Sequence, residues 1–459
     1  MYGRSAVPEA PVARKRQSTL PGSDLANSRL RRPFYYGWVI VAVAFVTMAI
    51  SVNSRSVFSL LFPPLIAELG WDRATIAAAF SIGFLSAVVY APLIGIALDR
   101  QGPRIVIPVA AGTVATGLWL TTLVTSPWEL YVAYGLLVVG ASVPVSYMGH
   151  GVILPRWFER KRGLATGIAF SGVGVGGIVL FPWLQGLIDG PGWRYACIAI
   201  AVLLVLVVIP LNVLAQRTSP AAVGARPDGD RANAGDAAPV SNIVDHAWAS
   251  IDWTVARAIR TARFWWFFAA MTSAMFVWYA LLVHQTNHLL DVGFLTEQAA
   301  LALGLVPFVG ALGQVGIGHL SDRVGREWTW TLCCLGFAVA YMAMSMMQSA
   351  ADSWLIYVMI IAQGGFGYGL ASMTSAIPAE IFAGRNFGSI YGVLSISAAS
   401  GASSGPWLTG KIFDTYGSYD PAFAIGLGAC VFSIVCVWLA APRKVRLVAG
   451  QAAKRGRKI

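Results

Sequence analysis

Apolar runs of about twenty residues or more recur twelve times along this chain, and that recurrence leaves few folds open. A run of that length crosses a ~30 Å hydrocarbon core as one helix. Hydrocarbon offers a bare backbone no hydrogen-bond partner, so each run is expected to satisfy its amides internally, as a helix. The runs fall near 36–64, 73–97, 105–125, 129–154, 163–187, 194–215, 264–289, 297–319, 328–348, 353–378, 387–411 and 420–441. Only 12% of the 459 residues are charged, against about a quarter in soluble domains. The 48 glycines suit membrane helices, whose close packing has no hydrophobic force to drive it. The expected fold is an all-α membrane protein of twelve transmembrane helices.

The net charge of +12 raises the question of nucleic acid, and its placement answers it. With the N-terminus in the cytoplasm, only Arg73, Arg194 and Lys411 lie on the outer side and Arg55 inside a span. The other 29 of the 33 Lys and Arg lie on inner loops and tails. That asymmetry is the positive-inside pattern and sets both termini in the cytoplasm. The basic stretches "RRPF" (31–34), "RKVR" (443–446) and "KRGRK" (454–458) then read as topology and lipid anchors, with no nucleic-acid partner. The expected location is the cell inner (plasma) membrane, multi-pass. Cys197, Cys333, Cys334, Cys430 and Cys436 all fall in spans, where a thiol behaves as a small hydrophobe. No metal site or cofactor is expected. The first apolar run is too long for a signal peptide.

Landmarks repeat at a fixed offset. "GIALDRQGPR" (95–104) and "GHLSDRVGRE" (318–327) share Gly-x-x-x-Asp-Arg-x-Gly, with Asp99 and Asp322 separated by 223 residues. Pro155 and Pro378, and Gly70 and Gly293, repeat at 223, and "PWLQGLID" (182–189) and "PWLTGKIFD" (406–414) at 224. The chain therefore divides into a basic tail (1–33), a six-helix half (34–216), a linker (217–262), a second six-helix half (263–442) and a basic tail (443–459). Within the linker, Val244, Trp248, Ile251, Val255 and Ile259 recur at helical spacing, flanked by Arg257, Arg260 and Arg263. That stripe predicts an amphipathic helix, lying on the membrane surface or packed on the protein.

On these motifs the sequence resembles the major facilitator superfamily, from about residue 34 to 442. The loop after the second span matches the family signature at Gly95, Asp99, Arg100, Gly102 and Arg104. Pro103 replaces the usual basic residue. The second copy matches at Gly318, Asp322, Arg323, Gly325 and Arg326. The resemblance implies that these loops gate the cytoplasmic side, with Asp99 and Asp322 contacting neighbouring helix ends. "RSVFSLLFPPLIAELGWDRATI" (55–76) and "RWFERKRGLATGIAFSGVGVG" (156–176) are similar to the monocarboxylate and oxalate:formate transporter branch. That branch carries a functional basic residue in this part of the first span.

The residues themselves point the same way. The acidic side chains map to loops, tails or span ends, which leaves Arg55, His150 and His284 as ionisable groups within spans. A guanidinium in hydrocarbon costs about 2.5–3.5 kcal/mol or more. Ser51, Arg55 and Ser59 form one polar stripe at i, i+4 and i+8, which suits a bundle interior. With no mid-membrane carboxylate for a partner, Arg55 either binds a mobile anion or snorkels outward. His284 has Tyr279, Gln285 and Asn287 nearby and is the candidate for proton handling or substrate contact. His150 is a weaker one. Tyr391 and Ser395 in the eleventh span, with Ser397, Gln363 and Tyr368, are candidate neutral contacts.

Where the branch often has a second charge, the eighth span holds only Gln314 and the eleventh only hydroxyls, which favours a monoanion over a dianion. "GVGVGG" (172–177) lies within a span and is a packing face, so no P-loop couples ATP to the cycle. The expectation is no enzyme but a secondary active transporter of a small organic anion. The anion is a monocarboxylate, moved by symport with a proton or by antiport with a counter-anion, by alternating access. Uniport, multidrug export and ligand sensing remain as alternatives.

Overall fold

The computed structural model describes residues 35–71, 73–229 and 242–456. From Tyr36 onward the described residues form one compact unit. The expected N-terminal basic tail thus lies outside the described residues. Twelve long helical stretches follow: α1 Gly37–Leu69, α2 Arg73–Gln101, α3 Pro103–Thr121, α4 Pro127–Trp157, α5 Arg162–Asp189 and α6 Trp193–Ala215. After the linker come α7 Ala262–Asp291, α8 Thr296–Val324, α9 Arg326–Met346, α10 Trp354–Ile381, α11 Phe387–Tyr416 and α12 Asp420–Ala440. Among the described residues eleven helices are long and apolar enough to cross a membrane. The other, α11, has the length at 30 residues but is rich in serine. Those hydroxyls bond back onto their own helix: Ser395 Oγ donates to Tyr391 O at 2.8 Å and Ser400 Oγ to Ile396 O at 2.9 Å, which removes most of their polar cost.

Two helices are broken in matching places. In α4 a π-helical segment (Tyr131–Val139) passes into a 3₁₀ segment (Gly140–Val145), and an α-helix resumes at Tyr147. In α10 a π segment (Ile361–Phe366) again passes into a 3₁₀ turn (Gly367–Leu370) before the helix resumes. Pro144 explains part of the break in α4, since it lacks the amide that the helix needs. The repeated signature glycines have a backbone reason: Gly102 (φ 78°) and Gly325 (φ 121°) stand before α3 and α9, where a side chain would be strained.

The halves meet along two seams. α2 packs on α11, and α5 packs on α8. A Cβ on Gly95 would collide with the carbonyl of Gly388, and one on Gly163 with that of Gly318. Backbones therefore touch at the end of the bundle nearest the linker. Further along α5 the approach loosens at Gly174, and Gly186 and Gly304 meet nothing within 4 Å.

The single amphipathic helix expected in the linker is instead two one-turn helices, His246–Ala249 and Val255–Ala258. A bend between them puts Trp253, which is off the apolar stripe, into the interior. Trp248 stacks at 4.6 Å from Trp253 and donates from Nε1 to Ile381 O at 2.8 Å. The linker thus packs on the second half, its apolar surface spent on Phe382. The last described residues form a short helix, α13 (Ala449–Gly456), from which Gln451 Nε2 donates to Val324 O at 2.7 Å.

Candidate functional site

Arg55 sits in the last turn of the first segment of α1, before an interruption at Val57. The Tyr134 hydroxyl donates to the carbonyls of Ser54 and Arg55, each at 3.1 Å, and so pins that turn to α4. The guanidinium lies over the ring of Phe84, 5.3 Å from its centroid. Among the described residues no carboxylate forms an ion pair with it. Its neighbours in α1 line an open groove of about 480 Å³, made of Ser56, Phe58, Ser59, Phe62 and Pro63 with Phe80 and Ser81 of α2.

The broken helices bring tyrosines into the same region of the bundle. Tyr147, the first residue after the break in α4, lies within electrostatic range of both Arg55 and Tyr279 of α7. Tyr368, within the break of α10, is in range of Tyr147 and Tyr279 and stacks on Trp278 at 4.3 Å. π-Bulges concentrate at functional sites because they re-aim side chains. Here Tyr147 follows one such break and comes within electrostatic range of Arg55, while Tyr368 lies at the other, in range of Tyr147.

The predicted residues separate on this geometry. Arg55 and Tyr279 each come within electrostatic range of Tyr147. Ser59 lines the cavity, its Oγ donating to Ser56 O at 3.0 Å. Ser51 is buried with its Oγ unpartnered. Tyr391 is buried nearer the linker end, 3.5 Å from Thr374 Oγ1, and Ser395 serves its own helix. His284 Nε2–H donates to Pro406 O at 2.9 Å and Nδ1 accepts from the Tyr419 hydroxyl at 3.2 Å. His284 therefore joins α7 to α11 and α12. His150 is buried, with Nδ1 3.2 Å from Ser146 O and Nε2 without a hydrogen-bond partner. Tyr147 was not among the expected residues. Its only sequence signal was position, a few residues beyond Pro144.

At the linker end the repeated motifs act across the seams. Asp99 accepts the backbone N–H groups of Gly388 (3.0 Å) and Ser389 (2.7 Å), in the first turn of α11, and pairs with Arg156 at 2.8 Å. Asp322 accepts those of Gly163 (2.8 Å) and Leu164 (2.9 Å), in the first turn of α5. A carboxylate there satisfies orphan donors and complements the helix dipole. Arg326 pairs with Asp322 at 2.9 Å and with Glu380 at 2.8 Å, and Arg162 approaches Glu380 at 3.8 Å. Arg104 Nε donates to Val213 O at 2.8 Å, while Arg100 and Arg323 are exposed. Glu380 stands at the end of α10, as expected of the acidic residues, but it is buried and paired there.

A sequence profile of the Major Facilitator Superfamily matches residues 43–369 and 288–458. The chain is 26% identical over 427 residues to monocarboxylate transporter 12 of Rattus norvegicus, covering 88% of this chain and 85% of that one. It is 25% identical to monocarboxylate transporter 13 of the same species over 397 residues, 85% of each. Among solved structures it resembles the E. coli fucose:proton symporter (TM-score 0.65, 13% identity, 89% of this chain and 99% of that one). The human organic anion transporter MFSD10 gives a TM-score of 0.65 at 14% identity, over 87% of this chain and 99% of that one.

Proposed function

The chain belongs to the major facilitator superfamily, and we propose that it is a secondary active transporter of a small organic monoanion, a monocarboxylate, with Arg55 as the anion-binding residue. The observation that carries this reading is a guanidinium with no carboxylate partner among the described residues, set next to an open groove and within electrostatic range of Tyr147. Guanidinium binds a carboxylate through two parallel N–H···O bonds and does not deprotonate. A bound anion relieves the cost of holding that charge in the membrane and draws the tyrosine-bearing helices inward. The monocarboxylate transporters among its relatives support the same class.

The linker end and both tails face the cytoplasm, and the protein sits in the cell's inner or plasma membrane. The contacts of Asp99 and Asp322 close the cytoplasmic side, so the cavity beside Arg55 opens outward. Anion binding and release on opposite sides require those contacts to break and re-form once per cycle.

Binding to purified protein tests the anion site. Arg55→Ala abolishes saturable binding of monocarboxylates. Arg55→Lys keeps the charge but loses the fork, and weakens affinity by about 1–3 kcal/mol. Unchanged affinity in Arg55→Ala returns Arg55 to a snorkelling role.

A further inference from the structure

Resting on the anion reading above, the geometry points to a narrower substrate class: we propose a monocarboxylate bearing an aromatic ring and no second charge. The groove next to Arg55 takes its apolar surface from Phe58, Phe62, Phe80 and Pro63, with Ser56, Ser59 and Ser81 between them. Phe58 stacks on Phe80 with centroids 5.3 Å apart and 12° between planes. Phe62 meets Phe58 edge-on at 5.8 Å, and Phe80 meets Phe84 edge-on at 5.0 Å. Phe84 is the ring over which the Arg55 guanidinium lies. A carboxylate held on Arg55 therefore has the Phe58–Phe80 stack one ring away.

Size agrees. The open groove of about 480 Å³ has the volume of a small-molecule site. A two- or three-carbon acid leaves most of these faces uncovered. Aromatic faces reward a ring beyond its buried area, through offset stacking and edge-to-face contact. Ser56 and Ser59 give no charge to that wall, and their hydroxyls donate to Val52 O (3.3 Å) and Ser56 O (3.0 Å).

Charge excludes the amino acid counterparts. Glu68, near the far end of α1, is held by Trp193 Nε1 (2.7 Å) and Arg194 (2.6 Å). Asp99, Asp322 and Glu380 are committed to partners at the linker end. Among the residues that line the cavity none is acidic. An α-ammonium group would enter next to a guanidinium with no counter-charge, which costs affinity.

The test is ligand-dependent thermal stabilisation of the purified full-length protein. The panel is phenylacetate, hexanoate, phenylalanine, phenethylamine and benzyl alcohol, on wild type and on Phe80→Leu. Phenylacetate is expected to half-saturate at a concentration about tenfold below hexanoate, from ring contacts alone. Phenylalanine is weaker again, and phenethylamine and benzyl alcohol do not stabilise. Phe80→Leu narrows the phenylacetate-to-hexanoate ratio, its unliganded melting temperature serving as the control for folding. Hexanoate binding as tightly as phenylacetate overturns the aromatic class and leaves the anion reading standing. Phenylalanine equal to phenylacetate overturns the single-charge part. Stabilisation by phenethylamine or benzyl alcohol but by no acid overturns the anion reading itself.

Discussion

Arg55 and His284 were the two ionisable residues that the sequence placed within the outer parts of spans, and they meet different fates. Arg55 is left with a ring and a cavity. His284 has both nitrogens engaged, one by a main-chain carbonyl and one by a tyrosine hydroxyl. As a proton carrier it would donate from both nitrogens when charged, so the Tyr419 hydroxyl must turn from donor to acceptor, a rotation that costs little. In proteoliposomes under an imposed pH gradient, His284→Gln is expected to lose gradient-driven accumulation while keeping counterflow exchange. Accumulation that persists in His284→Gln removes this histidine from coupling, and a wild type indifferent to the gradient is an exchanger or uniporter. Arg55 was legible because one charge in a long apolar run has few explanations. Tyr147 was not. Its aim depends on a π-to-3₁₀ switch that hydrophobic periodicity does not encode, since both sides of the break remain apolar.

At the scale of helices the internal repeat carried most of the architecture. The 223-residue offset paired Asp99 with Asp322 before any geometry, and each carboxylate caps a helix of the opposite half. The repeat could not reveal how near the backbones come there. Glycine against a carbonyl is legible only once two helices are placed side by side. The linker misled for a related reason: its stripe was periodic over four intervals, but the helix breaks where Trp253 finds a better site against Phe382. Side chains at Gly163 are expected to act as wedges. A Gly163→Val substitution sets a branched side chain against Gly318 O, Arg326 and Asp322 and shifts the population toward a state open at the linker end. The probe is a single cysteine at Ser375, which is buried beside Gly151, in a background lacking the five native cysteines. An impermeant maleimide supplied from the linker side should label it about tenfold faster in Gly163→Val, the effect of a shift near 1.4 kcal/mol. Equal labelling would mean that the α5–α8 contact is not what closes this end.

Across the whole molecule the two seams look alike in sequence and differ in electrostatics. On the α2–α11 side, Asp99 is paired with Arg156, whose side chain is 22% exposed. On the α5–α8 side, Arg326 is 1% exposed and lies between Asp322 and Glu380, with Arg162 also buried against Glu380. Arg326 stands where the first copy has Pro103, so the repeat itself records the difference: one half kept a cation that the other lost. Two cations and two carboxylates balance there. Removing one carboxylate leaves a net positive charge out of water, an error that costs about 3–5 kcal/mol when a buried pair is broken. Removing Asp99 leaves a partly exposed arginine that can turn to water, and forfeits charged hydrogen bonds worth about 1.5–3 kcal/mol. Asp322→Asn is therefore expected to lower the melting temperature of the purified protein more than Asp99→Asn does. Asp322→Asn combined with Arg326→Gln should recover part of the loss, because the uncompensated cation leaves with its partner. Transport divides the other way. The weaker seam is the one that opens and closes within a cycle at least cost, so Asp99→Asn should lower initial uptake rate while leaving expression and ligand binding nearly intact. Equal melting shifts for the two asparagine variants, or no recovery in the double variant, would mean that the buried charges at Arg326 do not make the seams unequal.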